Sequence, residues 1–109
     1  MNTLVQKIPT LKDMLDALRE DVKLSSPEEL RDACNLIIQV QAFDSGERDC
    51  IIASFKRGPL GDGDVHSKSS RNKLVENGFM AKVIVNGEDG YNACTYRGAS
   101  AYRLISIGA

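Results

Sequence analysis

The stretch Ser67-Lys68-Ser69-Ser70-Arg71-Asn72-Lys73-Leu74-Val75-Glu76-Asn77-Gly78-Phe79 decides how this chain is read. It predicts a helix from about Val65 or His66 to Asn77, with Asn77-Gly78 as its C-terminal stop. Leu74 and Val75 are its only large apolar residues, and four and seven positions before Leu74 stand Ser70 and Ser67. Small residues on that stripe let a helix lie close to its neighbour while its other faces stay polar. At about 100° per residue, Ser69, Asn72 and Glu76 fall opposite Leu74, flanked by Lys68 and Lys73. Arg71 falls nearer the buried side, within reach of a phosphate or of a carboxylate in its own domain.

After Gly78 the period changes from helical to alternating. Phe79, Ala81, Val83 and Val85 point one way, and Met80, Lys82, Ile84 and Asn86 the other. Asn86-Gly87 is a hairpin signal, extended here through Glu88-Asp89-Gly90, and Tyr91 to Thr95 serve as the returning strand. Beyond Gly98 the pattern suits either a short helix through Ala101, Leu104 and Ile105 or a strand over 102–107.

Working towards the N-terminus, Gly58-Pro59-Leu60-Gly61-Asp62-Gly63-Asp64 reads as a turn-rich connector. Its glycines match neither phosphate-binding fingerprint, and its two Asp repel phosphate. Before it, a helix capped by Asp44 or Ser45, with Glu47 three places after Asp44, carries Cys50, Ile51, Ala53 and Phe55. A longer helix starts at Ser26-Pro27-Glu28-Glu29, with Ser26 as cap, Pro27 in the first helical position and Glu29 completing a capping box. Leu30, Ala33, Cys34, Ile37, Val40 and Gln41 carry it to about Ala42. At the front, Leu4, Ile8, Leu11, Leu15, Leu18 and Val22 recur at spacings of three and four, a heptad-like stripe. Pro9 moves the start of that helix to about Thr10, and it runs to Asp21. The stripe either packs on its own domain or forms a dimer interface through Leu11, Leu15 and Leu18. The division expected is an N-terminal helix in 1–25 and a second unit in 26–109.

At 109 residues, 42% hydrophobic and 27% charged, one globular core is expected rather than a disordered chain. No run approaches the ~20 apolar residues of a membrane span, and the first residues carry no signal-peptide pattern, so the expected location is cytoplasmic. Cys34, Cys50 and Cys94 lie far apart inside apolar runs, which points to buried reduced thiols rather than to a metal site. The lone His66 stands at a helix start after a polar loop, and the carboxylates are scattered, so neither a catalytic constellation nor a cofactor site is expected. Residues 1–50 hold six Lys/Arg against ten Asp/Glu, and residues 51–109 hold eight against five. The back half is thus modestly basic, with a field that favours a polyanion without being a strongly basic stripe.

Three helices, the last polar and ending in Leu74-x-x-x-Gly78, followed at once by a hairpin, resemble the winged helix-turn-helix superfamily over roughly residues 27–105. Thr95-Tyr96-Arg97-Gly98 is similar to the Thr-x-x-Gly that often closes the wing in bacterial regulators. The resemblance implies an α+β, mainly α fold, with a three-helix core, a β-hairpin wing and an extra N-terminal helix. It also implies a regulator of transcription that reads double-stranded DNA, probed through the major groove by the helix at 66–77. Lys68, Ser69, Asn72 and Lys73 take the exposed positions of the matching helix, and Arg71 is a further DNA contact. Lys82 and Arg97, on or near the wing, become backbone contacts. Such regulators work as homodimers on paired half-sites. Glu76 on the outward face and Glu88-Asp89 at the wing tip depart from the pattern. They keep open a second expectation, a non-catalytic module that docks on a protein partner through acidic surface, since fold does not choose between these roles.

Overall fold

Local signals start each helix where its backbone amides need an acceptor. The computed structural model describes residues 8–19 and 23–109. Thr10 accepts from the Asp13 amide, and Asp13 returns the bond to the Thr10 amide, opening α1 over Leu11–Leu18. Leu4, Val22 and the expected last turn at 20–21 lie outside the described residues. Ser26 caps α2, Pro27–Gln41. The expected capping box is half made, because Glu29 accepts instead from the Ser25 hydroxyl at 3.0 Å. Asp44 and Glu47 form a complete box at the start of α3, Ser45–Arg57, which ends at Gly58 with φ +81°.

The connector after α3 is not a plain loop. Leu60–Gly61 form a short strand, β1, and Asp62–Asp64 a turn of 3-10 helix, before Ser67 caps α4, Lys68–Glu76. α4 therefore starts two or three residues later than its periodicity indicates, because the cap holds Ser67 in extended backbone. The hairpin follows as β2, Met80–Val85, and β3, Glu88–Cys94. Its turn is tighter than expected: Asn86 (φ 52°) and Gly87 (φ 79°) alone reverse the chain, and Val85 already faces Glu88. The residue gained is absorbed as a bulge on β3, where Asp89 and Gly90 (φ +86°) stand against Ile84 alone. The C-terminal segment resolves as a helix, α5, Tyr96–Ser106. Thr95 explains the choice, since its hydroxyl accepts from the Gly98 amide at 3.1 Å and donates to the Gly78 carbonyl at 2.6 Å. The Thr-x-x-Gly segment thus closes the hairpin and opens a helix with the same side chain.

Among the described residues the architecture is α+β and mainly helical: five α-helices and one three-stranded antiparallel sheet ordered β1-β3-β2. α3, α4 and the sheet enclose Cys50, Ile51, Leu60, Leu74, Phe79 and Met80, all at most 5% exposed. α5 closes that core with Ala101 and Leu104, and its other side receives α1 and α2. Phe79 sets the base of the hairpin, its ring meeting Phe43 edge-on at 5.0 Å.

α1 belongs to this same core. Leu18 is fully buried, Met14 is 6% exposed, and Leu15 is half-buried against the cluster, whereas Leu11 is 54% exposed. Of the three leucines expected at a dimer interface, Leu18 is consumed within the protomer and Leu15 largely so, because α1 lies across α5 and α2. The thiols also divide: Cys50 is buried, while Cys34 and Cys94 are half-buried, and none is in a disulfide.

Candidate nucleic-acid interface

α4 is amphipathic in the unusual sense that its inner face is mostly polar. Ser70, Arg71 and Leu74 are buried, while Lys68, Ser69, Asn72, Lys73 and Glu76 are exposed. Ser70 sits where α3 comes closest. A Cβ on Gly46 would collide with the Ser70 hydroxyl, so a glycine and a serine set the separation of the two helices. Ser67, the cap, accepts from the Ser70 amide and lies 3.3 Å from the Ser69 hydroxyl. The first turn contains no acidic residue, so its unpaired amides and Lys68 present one positive end to solvent.

Beneath that face lies a polar cluster. Arg71, 7% exposed as a residue, donates from Nη1 to Asp62 Oδ1 at 2.7 Å and to Asn92 Oδ1 at 3.3 Å. Asn92, wholly buried in β3, donates from Nδ2 to the Leu60 carbonyl at 3.1 Å and to Asp62 Oδ1 at 2.9 Å. Asn92 and Arg71 hold the Asp62 carboxyl below its ordinary range, Asn92 contributing most. From the edge of the cluster, Arg71 Nε donates to Asn72 Oδ1 at 2.9 Å. Arg71 is therefore engaged through Nη1 and Nε within its own domain, one of the two partners open to it from sequence.

The remaining candidates separate. Lys82 is exposed on β2 and stands directly opposite Asn92. Cross-strand partners share a face, so Lys82 lies on the sheet face that α4 approaches. Lys73 is exposed and only loosely paired, with Asp44 Oδ2 at 3.9 Å, a surface contact worth little. Arg97 is not on the hairpin. It occupies the first turn of α5, with its guanidinium carbon 4.7 Å above the Phe79 ring and a hydrogen bond to Gln39 of α2. The structure brings Lys68, Ser69, Asn72 and Lys73 together and adds Lys82, while Arg71 and Arg97 hold the framework.

Sequence reasoning missed Asp62 and Asn92. A signal for Asn92 existed: Asn is disfavoured in strands, so one flanked by Tyr91 and Ala93 marks a buried polar partner. Asp62 had no local signal, since its partners stand 9 and 30 residues away.

Elsewhere, a cleft between α1, α2 and α5 is lined by Leu18, Lys23, Ala33, Leu36 and Arg97, with no residue of α4. Among the described residues no three His, Cys, Asp or Glu side chains are grouped as a metal ion requires, and no helix is long and apolar enough to cross a membrane. No family model matches the chain, and neither a curated protein nor a solved structure matches it.

Proposed function

We propose that this protein is a non-catalytic regulator of transcription that binds double-stranded DNA as a winged helix, with α4 in the major groove and β2–β3 as the wing. One observation carries the reading: Lys68, Ser69, Asn72 and Lys73 form a continuous exposed face on a helix whose opposite face is buried. An α-helix is about 10–12 Å across with its side chains, a match for a major groove about 12 Å wide. Asn72 suits an adenine edge, Lys68 and Lys73 reach guanine or phosphate, and Ser69 serves either. Lys82 reaches the flanking backbone. One such module touches few base pairs, so the binding unit is a homodimer on two half-sites about 34 Å apart.

A second reading has its own observation. Ile84 is 67% exposed on the wing, close in sequence to Glu88 and Asp89, and this surface suits a protein partner better than a phosphate backbone. Selection of random duplexes by the purified protein at near-physiological salt separates the two. An enriched palindrome supports the DNA reading. Binding without sequence enrichment, or none, overturns it and leaves the wing as a protein-docking surface.

A further inference from the structure

We infer that the buried Arg71 is a positioning residue that fixes the Asn72 carboxamide for adenine. This inference rests on the DNA reading of α4. Neighbouring residues on a helix do not face one another, so a side-chain bond between positions 71 and 72 forms only if one side chain is bent across and held there. The structure supplies the restraint. Asp62 from the 3-10 turn and Asn92 from β3 hold Nη1 of Arg71 at 2.7 and 3.3 Å, and Asn92 is itself tied to the β1 carbonyl of Leu60 at 3.1 Å. With the guanidinium anchored by two elements outside α4, its Nε–H is left directed at Asn72, 2.9 Å from Oδ1.

That contact also settles which way the amide faces. Nε–H of arginine only donates, so the Asn72 atom opposite it is the carbonyl oxygen. Asn72 is exposed, Oδ1 retains a second lone pair, and Nδ2 carries two hydrogens to donate. An adenine presents N7 as acceptor and its N6 amino group as donor on the major-groove edge. Asn72 answers with Nδ2–H to N7 and Oδ1 to the N6 hydrogen, and the flipped amide offers neither in that order. Holding one amide orientation before binding removes an ordering cost, equivalent to about threefold to tenfold in affinity for the correct base.

The test is a base-by-base competition on the duplex that the wild type selects. Asn72→Ala abolishes an adenine preference at one position of each half-site. Arg71→Lys, which keeps the charge beside Asp62 but has no Nε–H at that place, weakens the same preference about threefold to tenfold and leaves preferences at other positions standing. The double variant is no worse than Asn72→Ala. Should Arg71→Lys fail to fold, Asp62→Asn, at a half-exposed site, loosens the same anchor and lowers the same preference. Uniform weakening at every position, or additive effects in the double variant, overturns the positioning role. A wild type that selects no sequence refutes the DNA reading itself. A motif indifferent to Asn72→Ala refutes this inference alone.

Discussion

Gly98→Ala inverts the usual sign of a glycine-to-alanine change in a helix. In an exposed helix interior the substitution stabilises by about 1 kcal/mol. At position 98, in the first turn of α5, the new Cβ would sit 2.5 Å from Cys94 Sγ and would overlap the Phe79 carbonyl oxygen. Neither neighbour can withdraw freely. The Phe79 carbonyl accepts from the Thr95 amide at 3.1 Å, the Phe79 amide donates to Leu74 at 2.8 Å, and Thr95 ties Gly98 to Gly78. Relief means displacing the start of α5, with overpacking of about 1–3 kcal/mol and the loss of a hydrogen bond worth about 1 kcal/mol. After the propensity gain the net is a destabilisation of about 2 kcal/mol, or a fall in Tm of roughly 10 °C for a chain of this size. Gly63→Ala is the control, since nothing lies within 4 Å of its would-be Cβ, and its stability stays within about 0.5 kcal/mol of wild type. Paired thermal and urea unfolding of the two variants decides the matter. A Gly98→Ala protein as stable as wild type, or more so, would show that α5 does not approach Phe79 as described.

Four other outcomes are expected. With Lys68, Lys73 and Lys82 as the only phosphate partners, log Kobs against log salt falls with a slope of about −2.7 per protomer; a slope twice as steep implicates cations outside this face. Leu18→Ala costs about 2–5 kcal/mol of unfolding free energy, and Leu11→Ala less than about 0.5, because the first is fully buried and the second 54% exposed; equal losses would contradict the packing of α1. Asp62 is held below its ordinary pKa of 3.8, so the unfolded chain takes up its proton first as pH falls, and this contribution to stability, complete above that range, is lost on acidification through the folded value. Asp62→Asn therefore gives a shallower decline of stability with falling pH below about 4 in acid titrations. Burial raises the pKa of the Cys50 and Cys94 thiols, so iodoacetamide at pH 8 labels both more slowly in the native protein than in urea, as peptide mass mapping would reveal.

The elements legible in the sequence are those that local chemistry specifies. Asp44 with Glu47, Ser26 before Pro27, and Asn86-Gly87 act within a few residues of where they stand, and the structure places α3, α2 and the hairpin turn accordingly. The exposed face of α4 followed from its period, though its start did not, because a cap rather than apolar spacing fixes Ser67. β1 was hidden, since a two-residue strand exists only through its partner, with Leu60 facing Asn92 and Gly61 facing Tyr91. The ambiguity beyond Gly98 reflected a real balance in the apolar pattern, which the Thr95 cap tips towards helix. Arg97 was drawn away from the wing by an aromatic face and a glutamine on α2. Arg71 had two partners open to it from sequence, and a carboxylate nine residues back took it.

The buried amide of Asn92 also bears on how the chain finds its own pairing. A hairpin slipped by one residue would carry Tyr91 or Ala93 to the place between Leu60 and Arg71; Ala93 has no polar side-chain atom, and Tyr91 carries its hydroxyl at the far end of a ring rather than at the short reach of the Asn92 amide. The Leu60 carbonyl would then lose its Asn92 donor, at about 1–3 kcal/mol, while the guanidinium would keep Asp62. An apolar residue at position 92 would remove that discrimination, since slipped and true pairings would bury similar side chains. The hairpin can form early from its own turn, but its register is checked only when β1 and α4 arrive, so slipped pairings are discarded late in folding, by a polar test within a mostly apolar core.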